Sequence, residues 1–537
     1  MTQQILLASL FILFLQKWLF ENTLVYKQYD QVKDILRQMN SLVLVNYYNN
    51  RNHFSSYRSF RFDLSKSQVQ LNETYCNQSD TFKFYHPDIV LKDIHTTRDT
   101  DDLTQEIVQS ISFIKITNYT EGKIKNKSVV PEVLTIPFNY YDSYLTKTNT
   151  GLSAMCLFQK HNHMRGRQQL AYKNELLNNY YLYVDRLKKM PEICSTNVTY
   201  IPKSYRLWLK DECSAFFEYI NTPEYEQKFQ KQGPQFISKL GLEVHRGAGI
   251  TMLFQKETQQ LIKEYQNGQN CGQISKYVIA QKYINNPYLF KGHKIEFRIY
   301  FIIASTYPLI VYAYDSSLIR RCATPFDKFS LEKSSHVCNT AIVKKKIEGQ
   351  DLDEDKQFFI SWKLDYLQEL LLKQKKIKSK KWLEEYLYPK IHTTIQHLIM
   401  STQHFFDIDS KLSEFFGVDF MLTDDLQIYV LEVNSNPQLL KTTPERVVQN
   451  TKLVKDILEI QVAYLRSKYV RLRSLIKSFL ANQPTIQKFE KDFKEAYKDK
   501  LEPEFPISSN NLFRKIVDKN LKDSKAYNDL IQTKCIL

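Results

Sequence analysis

The stretch that most constrains this chain runs from Phe416 to Pro437. An apolar run, Phe416-Gly417-Val418-Asp419-Phe420-Met421-Leu422, is followed by Thr423-Asp424-Asp425-Leu426. A second run follows, Gln427-Ile428-Tyr429-Val430-Leu431-Glu432-Val433-Asn434. Two β-branched and aromatic runs around a short polar loop predict a β-hairpin. Side chains alternate along a strand, so Glu432 and Asn434 share a face. Pairing Leu422 with Gln427 sets Asp419 opposite Val430, on that same face and diagonal to Glu432, roughly 7–8 Å away. Asp419, Glu432 and Asn434 then offer hard oxygen donors of the kind Mg²⁺ takes. An edge hairpin with a solvated polar face is the plainer alternative. A slip of one residue in the register would separate Asp419 from the other two.

With 537 residues there is room for two to four domains, and a hydrophobic content of 43% is that of a globular chain. The net charge of +16 calls for an acidic partner: nucleic acid, an anionic membrane or an acidic polypeptide. The eight cysteines form no CxxC pair and no zinc spacing, a pattern that predicts free thiols in a reducing compartment. The apolar run Ile5–Leu15 reads either as a secretory signal or anchor, or as a buried N-terminal helix or strand. The five sequons at Asn72, Asn77, Asn118, Asn126 and Asn197 are close to chance for so asparagine-rich a chain.

Residues 25–158 read as irregular α+β structure without a catalytic motif. Further on, Pro234–Lys239 predicts a short strand ending in lysine. A loop tipped by Gly247-Ala248-Gly249 follows, and Ile250–Phe254 returns as a strand. Such a flap can bring backbone N–H groups, Lys239 and Arg246 to a phosphate, although a plain hairpin tip has the same pattern. Tyr277–Ile284 is a strand of buried type. The run from Lys294 to Ala304 alternates strictly at first, with Lys294, Glu296 and Arg298 on one face and Ile295, Phe297 and Ile299 on the other. Its apolar continuation, Phe301-Ile302-Ile303-Ala304, predicts that both faces are covered, so the charges need a polar pocket. Asp351–His404 is helical and lysine-rich, and residues from about 446 to 480 read as one long basic helix followed by a charged tail.

Taken in order, these elements resemble the tubulin tyrosine ligase-like family over about Gln159 to Leu440. The motifs that carry the likeness are Tyr200-Ile201-Pro202-Lys203-Ser204-Tyr205, Lys239 with Gly247-Ala248-Gly249-Ile250, and Gln281-Lys282-Tyr283-Ile284 with Asn286-Pro287. Four more follow in register: Lys294-Ile295-Glu296-Phe297-Arg298, Leu318-Ile319-Arg320, His336-Val337-Cys338-Asn339, and the hairpin itself. The resemblance implies an α+β ATP-grasp fold of antiparallel sheets with flanking helices at 159–445, between a preceding segment (1–24 and 25–158) and a basic helical extension at 446–537. It further implies ATP and Mg²⁺ as cofactors. Lys239, Gly247 and Gly249 would hold phosphates, Gln281, Lys282 and Ile284 the adenine, and Asp419, Glu432 and Asn434 the metal. Lys294, Glu296, Arg298 and Arg320 would surround the γ-phosphate and the reacting carboxylate, with His336 and Asn339 beside the incoming amino acid or phosphate. The family usually has aspartate where Glu296 stands and threonine where Cys338 stands.

The reaction so implied joins a free amino acid, glutamate or glycine, to glutamate side chains on the acidic tails of tubulin or another acidic protein, with no nucleic-acid partner. It passes through an acylphosphate and needs no protein nucleophile, in keeping with a chain that shows no Ser-His-Asp or Cys-His pattern. Cytoplasm, cytoskeleton or cilium would be the setting. A catalytically weak microtubule-binding scaffold, and a ligase with a lumenal substrate reached through an N-terminal signal, stand as the alternatives.

Overall fold

In a computed structural model of the chain, the described residues are five short strands between 93 and 161 and the run from 164 to 518. Excepted are 165, 190–197, 242–248, 307, 339–361, 407–412, 436, 438, 440–443, 483–487, 489–490, 493–501 and 504–505. The five short strands are β1 (Asp93–Thr97), β2 (Lys115–Thr120), β3 (Lys123–Ile124), β4 (Val133–Thr135) and β5 (Lys160–His161). These form one sheet in the order β3-β2-β1-β4-β5. The apolar run Ile5–Leu15, Arg246, Gly247 and Asn339 lie outside the described residues.

Two antiparallel sheets make up the rest. The smaller has the order β6-β9-β7-β8, from β6 (Ser204–Arg206), β7 (Phe236–Leu240), β8 (Ile250–Met252) and β9 (Val278–Lys282). Helix α1 (Lys173–Lys188) precedes it, and α2 (Lys210–Ile220), α3 (Pro223–Gln232) and α4 (Gln255–Glu264) accompany it. In α2 the buried Cys213, Phe216, Phe217 and Ile220 recur at helical spacing and pack with Phe236 and Tyr265 under the sheet. Helix α3 starts cleanly because the Thr222 hydroxyl accepts from the Tyr225 N–H at 3.2 Å and Pro223 needs no donor; it stops at Gly233.

The larger sheet is organised by β11 (His293–Thr306), a strand of 14 residues. One edge pairs with β13 (Leu318–Arg321) and then β12 (Leu309–Tyr314); the other pairs with β15 (Glu414–Leu422), which pairs in turn with β16 (Ile428–Asn434). Short strands β10 (Leu289–Phe290) and β14 (Trp362–Lys363) extend it. Phe297, Ile299, Phe301 and Ile303 face the main core, along with helix α5 (Leu364–Lys373) and helix α6 (Tyr388–Thr402). On the opposite face, Lys294, Glu296 and Arg298 give way to Tyr300, Ile302 and Ala304. The long helix α7 (Pro444–Asn482) covers these last three with Leu453, Ile460 and Tyr464. The strand is thus covered on both faces, as its sequence predicts, with the charged half turned into a polar cleft.

Two expectations are corrected. The end of the chain, read as a tail, supplies strand β17 (Phe513–Asp518), which pairs with β12 and buries Val517 completely. The cysteines read as free thiols include two bonded pairs, Cys213–Cys271 and Cys322–Cys338. Their separations of 58 and 16 residues carry no local spacing signal; the fold brings the partners together. Among the described residues no helix is long and apolar enough to cross a membrane.

Candidate active site

Between the two sheets lies a cleft that encloses about 710 Å³ of empty space, part of it open to solvent. The smaller sheet contributes Lys239, Gln281, Lys282 and Ile284. From the larger come Lys294, Glu296, Arg320, Asp419 and Glu432, with His336 from the connecting segment. Arg298 and Asn434 reach the same place by bonding to Asp419 and Glu432. Of the flap only the stems are described. Gly249 adopts a φ of +70° and sits so close to Leu240 that an added Cβ would meet its side chain at 2.9 Å.

The hairpin forms, but its register corrects the expected one. Leu422 pairs with Ile428 and Asp419 lies directly across from Glu432, not opposite Val430. Thr423 and Gln427 close the loop through their backbones, and Leu426 takes a left-handed φ of 61°, giving a tighter turn than expected. Phe420 pairs with Val430 and Asp419 with Glu432, so Leu431 is an extra, unpaired residue: a β-bulge. The bulge brings the two carboxylates face to face. It also frees the Leu431 carbonyl, which accepts from Lys239 Nζ at 3.2 Å across the cleft.

Charge dominates the geometry. Arg298 clasps Asp419 in a two-pronged pair, Nε to Oδ1 at 2.6 Å and a terminal nitrogen to Oδ2 at 2.7 Å, and Arg320 donates to Oδ1 as well. Burial alone would raise the Asp419 carboxyl, but the two guanidiniums outweigh it and hold it well below the usual range. Arg446, at the start of α7, adds positive charge here; burial, then the repulsion of Arg320, push it down to about 10. Burial, helped by Lys173, brings the Lys239 ammonium down to about 8, against the pull of Glu432. Lys294 is lowered too, by burial, although Glu296 Oε1 stands 3.6 Å from its Nζ.

His336 is held at both ring nitrogens. Nε2 lies 2.7 Å from the Ser330 carbonyl, which can only accept, so Nε2 carries the proton. Nδ1 must then accept from the Tyr283 hydroxyl at 2.8 Å. Burial lowers the imidazole pKa and keeps the ring neutral. The backbone carbonyl of His336 accepts from Lys294 Nζ at 2.6 Å, so this residue positions Lys294. The Cys322–Cys338 bond ties the same segment to the end of the strand that carries Arg320.

Lys173 escaped sequence reasoning. Its Nζ, at the first residue of α1, lies 3.3 Å from Glu432 Oε2, while Asn434 donates to Oε1 at 3.3 Å. A lone lysine opening a helix looks like surface charge, and only the fold shows its partner.

No three His, Cys, Asp or Glu side chains converge on a point among the described residues. The donor set at the hairpin is instead two carboxylates and an amide. That set fits Mg²⁺, which takes one or two carboxylates and completes its shell with water and phosphate oxygens.

The model of the tubulin-tyrosine ligase family matches residues 155–469. Similar curated proteins include a human protein named probable tubulin polyglutamylase TTLL2, 29% identical over 185 residues, which are 34% of this chain and 30% of that protein. Tubulin glycylase 3A of Drosophila melanogaster is 29% identical over 189 residues, 35% of this chain and 18% of its own length. The human protein named inactive polyglycylase TTLL10 is 24% identical over 262 residues, 48% of this chain and 37% of its own. The matched stretch thus spans well under half of each of these relatives. The antiparallel α+β architecture, the cleft between its sheets and a family match over more than half the sequence give one conclusion: the chain belongs to the tubulin-tyrosine ligase family.

Proposed function

We propose that the chain is an ATP-dependent ligase that joins an amino acid, glutamate in the first instance, to glutamate side chains of tubulin or another acidic protein. The observation that carries this reading is the cleft itself. Buried ammonium groups from both sheets, Lys239 and Lys294, line the same cleft as the paired carboxylates Asp419 and Glu432. Similar proteins named as tubulin polyglutamylase and glycylase support the same class of reaction.

Each residue has a part. Gln281 donates from Nε2 to the Ser204 hydroxyl at 2.9 Å, which fixes its amide and leaves the carbonyl oxygen to accept from a base amino group. Lys239 and Lys173 would hold phosphate oxygens. Glu432 and Asn434, with Asp419 beside them, would hold Mg²⁺. Bound ATP·Mg²⁺ supplies the phosphoryl group that turns a carboxylate oxygen into a leaving group. Arg320 and Lys294 would hold the acceptor carboxylate and balance charge developing on its oxygens, in a site that is already desolvated. Arg298, locked onto Asp419, keeps the strand charges in register.

The test is incubation of the full chain with tubulin, Mg²⁺-ATP and labelled glutamate or glycine. Label enters tubulin with glutamate and is lost in Glu432→Gln, which still folds. Label from glycine alone would reassign the amino acid. No label with either would favour the second reading, a tubulin-binding protein without catalysis, for which the resemblance to a relative named inactive speaks.

A further inference from the structure

The segment that joins α5 to the next helix carries six lysines in nine residues, Lys373 to Lys381. Two anchors hold it in place. Ile377 is buried in the middle, and Trp382 and Leu383 are buried at its end. Just before the first anchor the chain turns through Lys375, whose φ of 55° is left-handed, and all six lysines are exposed. Lys376 pairs with Asp424 at 2.7 Å, at the tip of the catalytic hairpin. The other five have no ion-pair partner among the described residues. The turn therefore gathers like charges beside the loop that follows the strand carrying Asp419.

Three classes of anionic partner could answer this charge, and the turn discriminates among them. It contains no aromatic side chain on which a base could stack, as single-stranded nucleic-acid grooves do. Its apolar residue points inward, leaving nothing to insert into a lipid interface. Lysines are compact point charges on flexible stems, suited to a run of separate carboxylates.

The hairpin also supplies a ruler. Asp424 lies five positions beyond Asp419 and two past the end of β15, at most about 17 Å away, and the lysine stems extend that reach. We propose that this basic turn docks an acidic polypeptide, holding a run of glutamates or aspartates about five to eight residues from the side chain being modified. The inference rests on the cleft being a ligase site for an acidic protein, and names which part of that protein is gripped and where.

The test uses the full chain and a fluorescent peptide with one acceptor glutamate and an acidic run placed about two, about six or about twelve residues away. The variant carries Lys373→Glu, Lys375→Glu, Lys378→Glu, Lys380→Glu and Lys381→Glu, leaving Lys376 and the cleft intact. Expected is a loss of peptide affinity of about tenfold or more, with wild-type binding weakening as salt rises. Nucleotide binding and melting temperature should stay as in wild type. In the labelling assay the middle spacing should give the lowest KM, an advantage the variant loses. Equal peptide affinity in wild type and variant would overturn the proposal, as would wild-type preference for single-stranded RNA or phosphatidylserine vesicles. Should five reversals prevent folding, Lys378→Gln with Lys380→Gln and Lys381→Gln must still weaken binding at least about threefold. Lysine-dependent peptide binding without any label transfer would sink the ligase reading and leave the docking surface standing.

Discussion

At the scale of single residues, Lys239 is the clearest case of chemistry imposed by position. Lys239 stands next to last in β7 with its side chain buried, and the ammonium loses its water; its pKa falls to about 8. In the unfolded chain the same group titrates near 10.4. The folded pKa is depressed and the group is a base, so between these values the unfolded state binds more protons. This lysine's contribution to stability therefore rises as pH climbs from about 8 to about 10.4. Phosphate binding should respond in the opposite sense. Affinity for ADP, followed by titration calorimetry, should be flat up to about pH 8 and then fall, with proton uptake on binding. Lys239→Met should remove both the inflection and the proton uptake. An unchanged pH profile in that variant would place the phosphate elsewhere. His336 makes the complementary point. A histidine in a cleft suggests acid–base catalysis, yet both ring nitrogens are committed to Tyr283 and Ser330.

Among elements, the hairpin and β11 were readable from sequence because both are set by alternation, which needs no knowledge of the rest of the fold. What alternation cannot supply is register. The pairing moved by one residue because Leu426 accepts a left-handed conformation and Leu431 bulges, and both depend on neighbours distant in sequence. Asp419 and Glu432 meet all the same, through the bulge and not through the expected diagonal. Strand β17 was missed for a different reason: Phe-Arg-Lys-Ile-Val-Asp alternates poorly and sits in a charged stretch, and only its pairing with β12 makes it a strand. Its contribution is nonetheless large, since Ile516 and Val517 join the main core while Phe513 packs beneath α7. Val517→Asp would bury an unpaired carboxylate in that core and should cost about 3–5 kcal/mol. Urea unfolding should show the loss, whereas Arg514→Ala, at an exposed position on the same strand, should shift the midpoint little.

For the molecule as a whole, the two disulfides allow stability and activity to be separated. In the chain-entropy account, closing 58 residues is worth about 4 kcal/mol and closing 16 about 3 kcal/mol. Cys213→Ser with Cys271→Ser should thus lower the melting temperature more than Cys322→Ser with Cys338→Ser. Catalysis should rank the other way. Only Cys322–Cys338 fastens the segment whose His336 carbonyl holds Lys294, so its loss should depress kcat/KM for ligation more strongly. If both pairs affected activity only in proportion to stability, the fastening role would be refuted.

The long strand β11 has one more consequence. Its first half presents Lys294, Glu296 and Arg298 to the cleft, and its second half lies under α7, with no break in the backbone between them. It resembles a single beam resting on two supports, one of them steadied where Tyr464 meets Tyr312 on the neighbouring β12. For anyone grafting segments between relatives, a cut at the close of β16 looks natural, since the carboxylates that line the cleft end there. Such a graft would exchange one support of the beam and keep the other. A working chimera must therefore carry α7 and β17 along with the strands they brace.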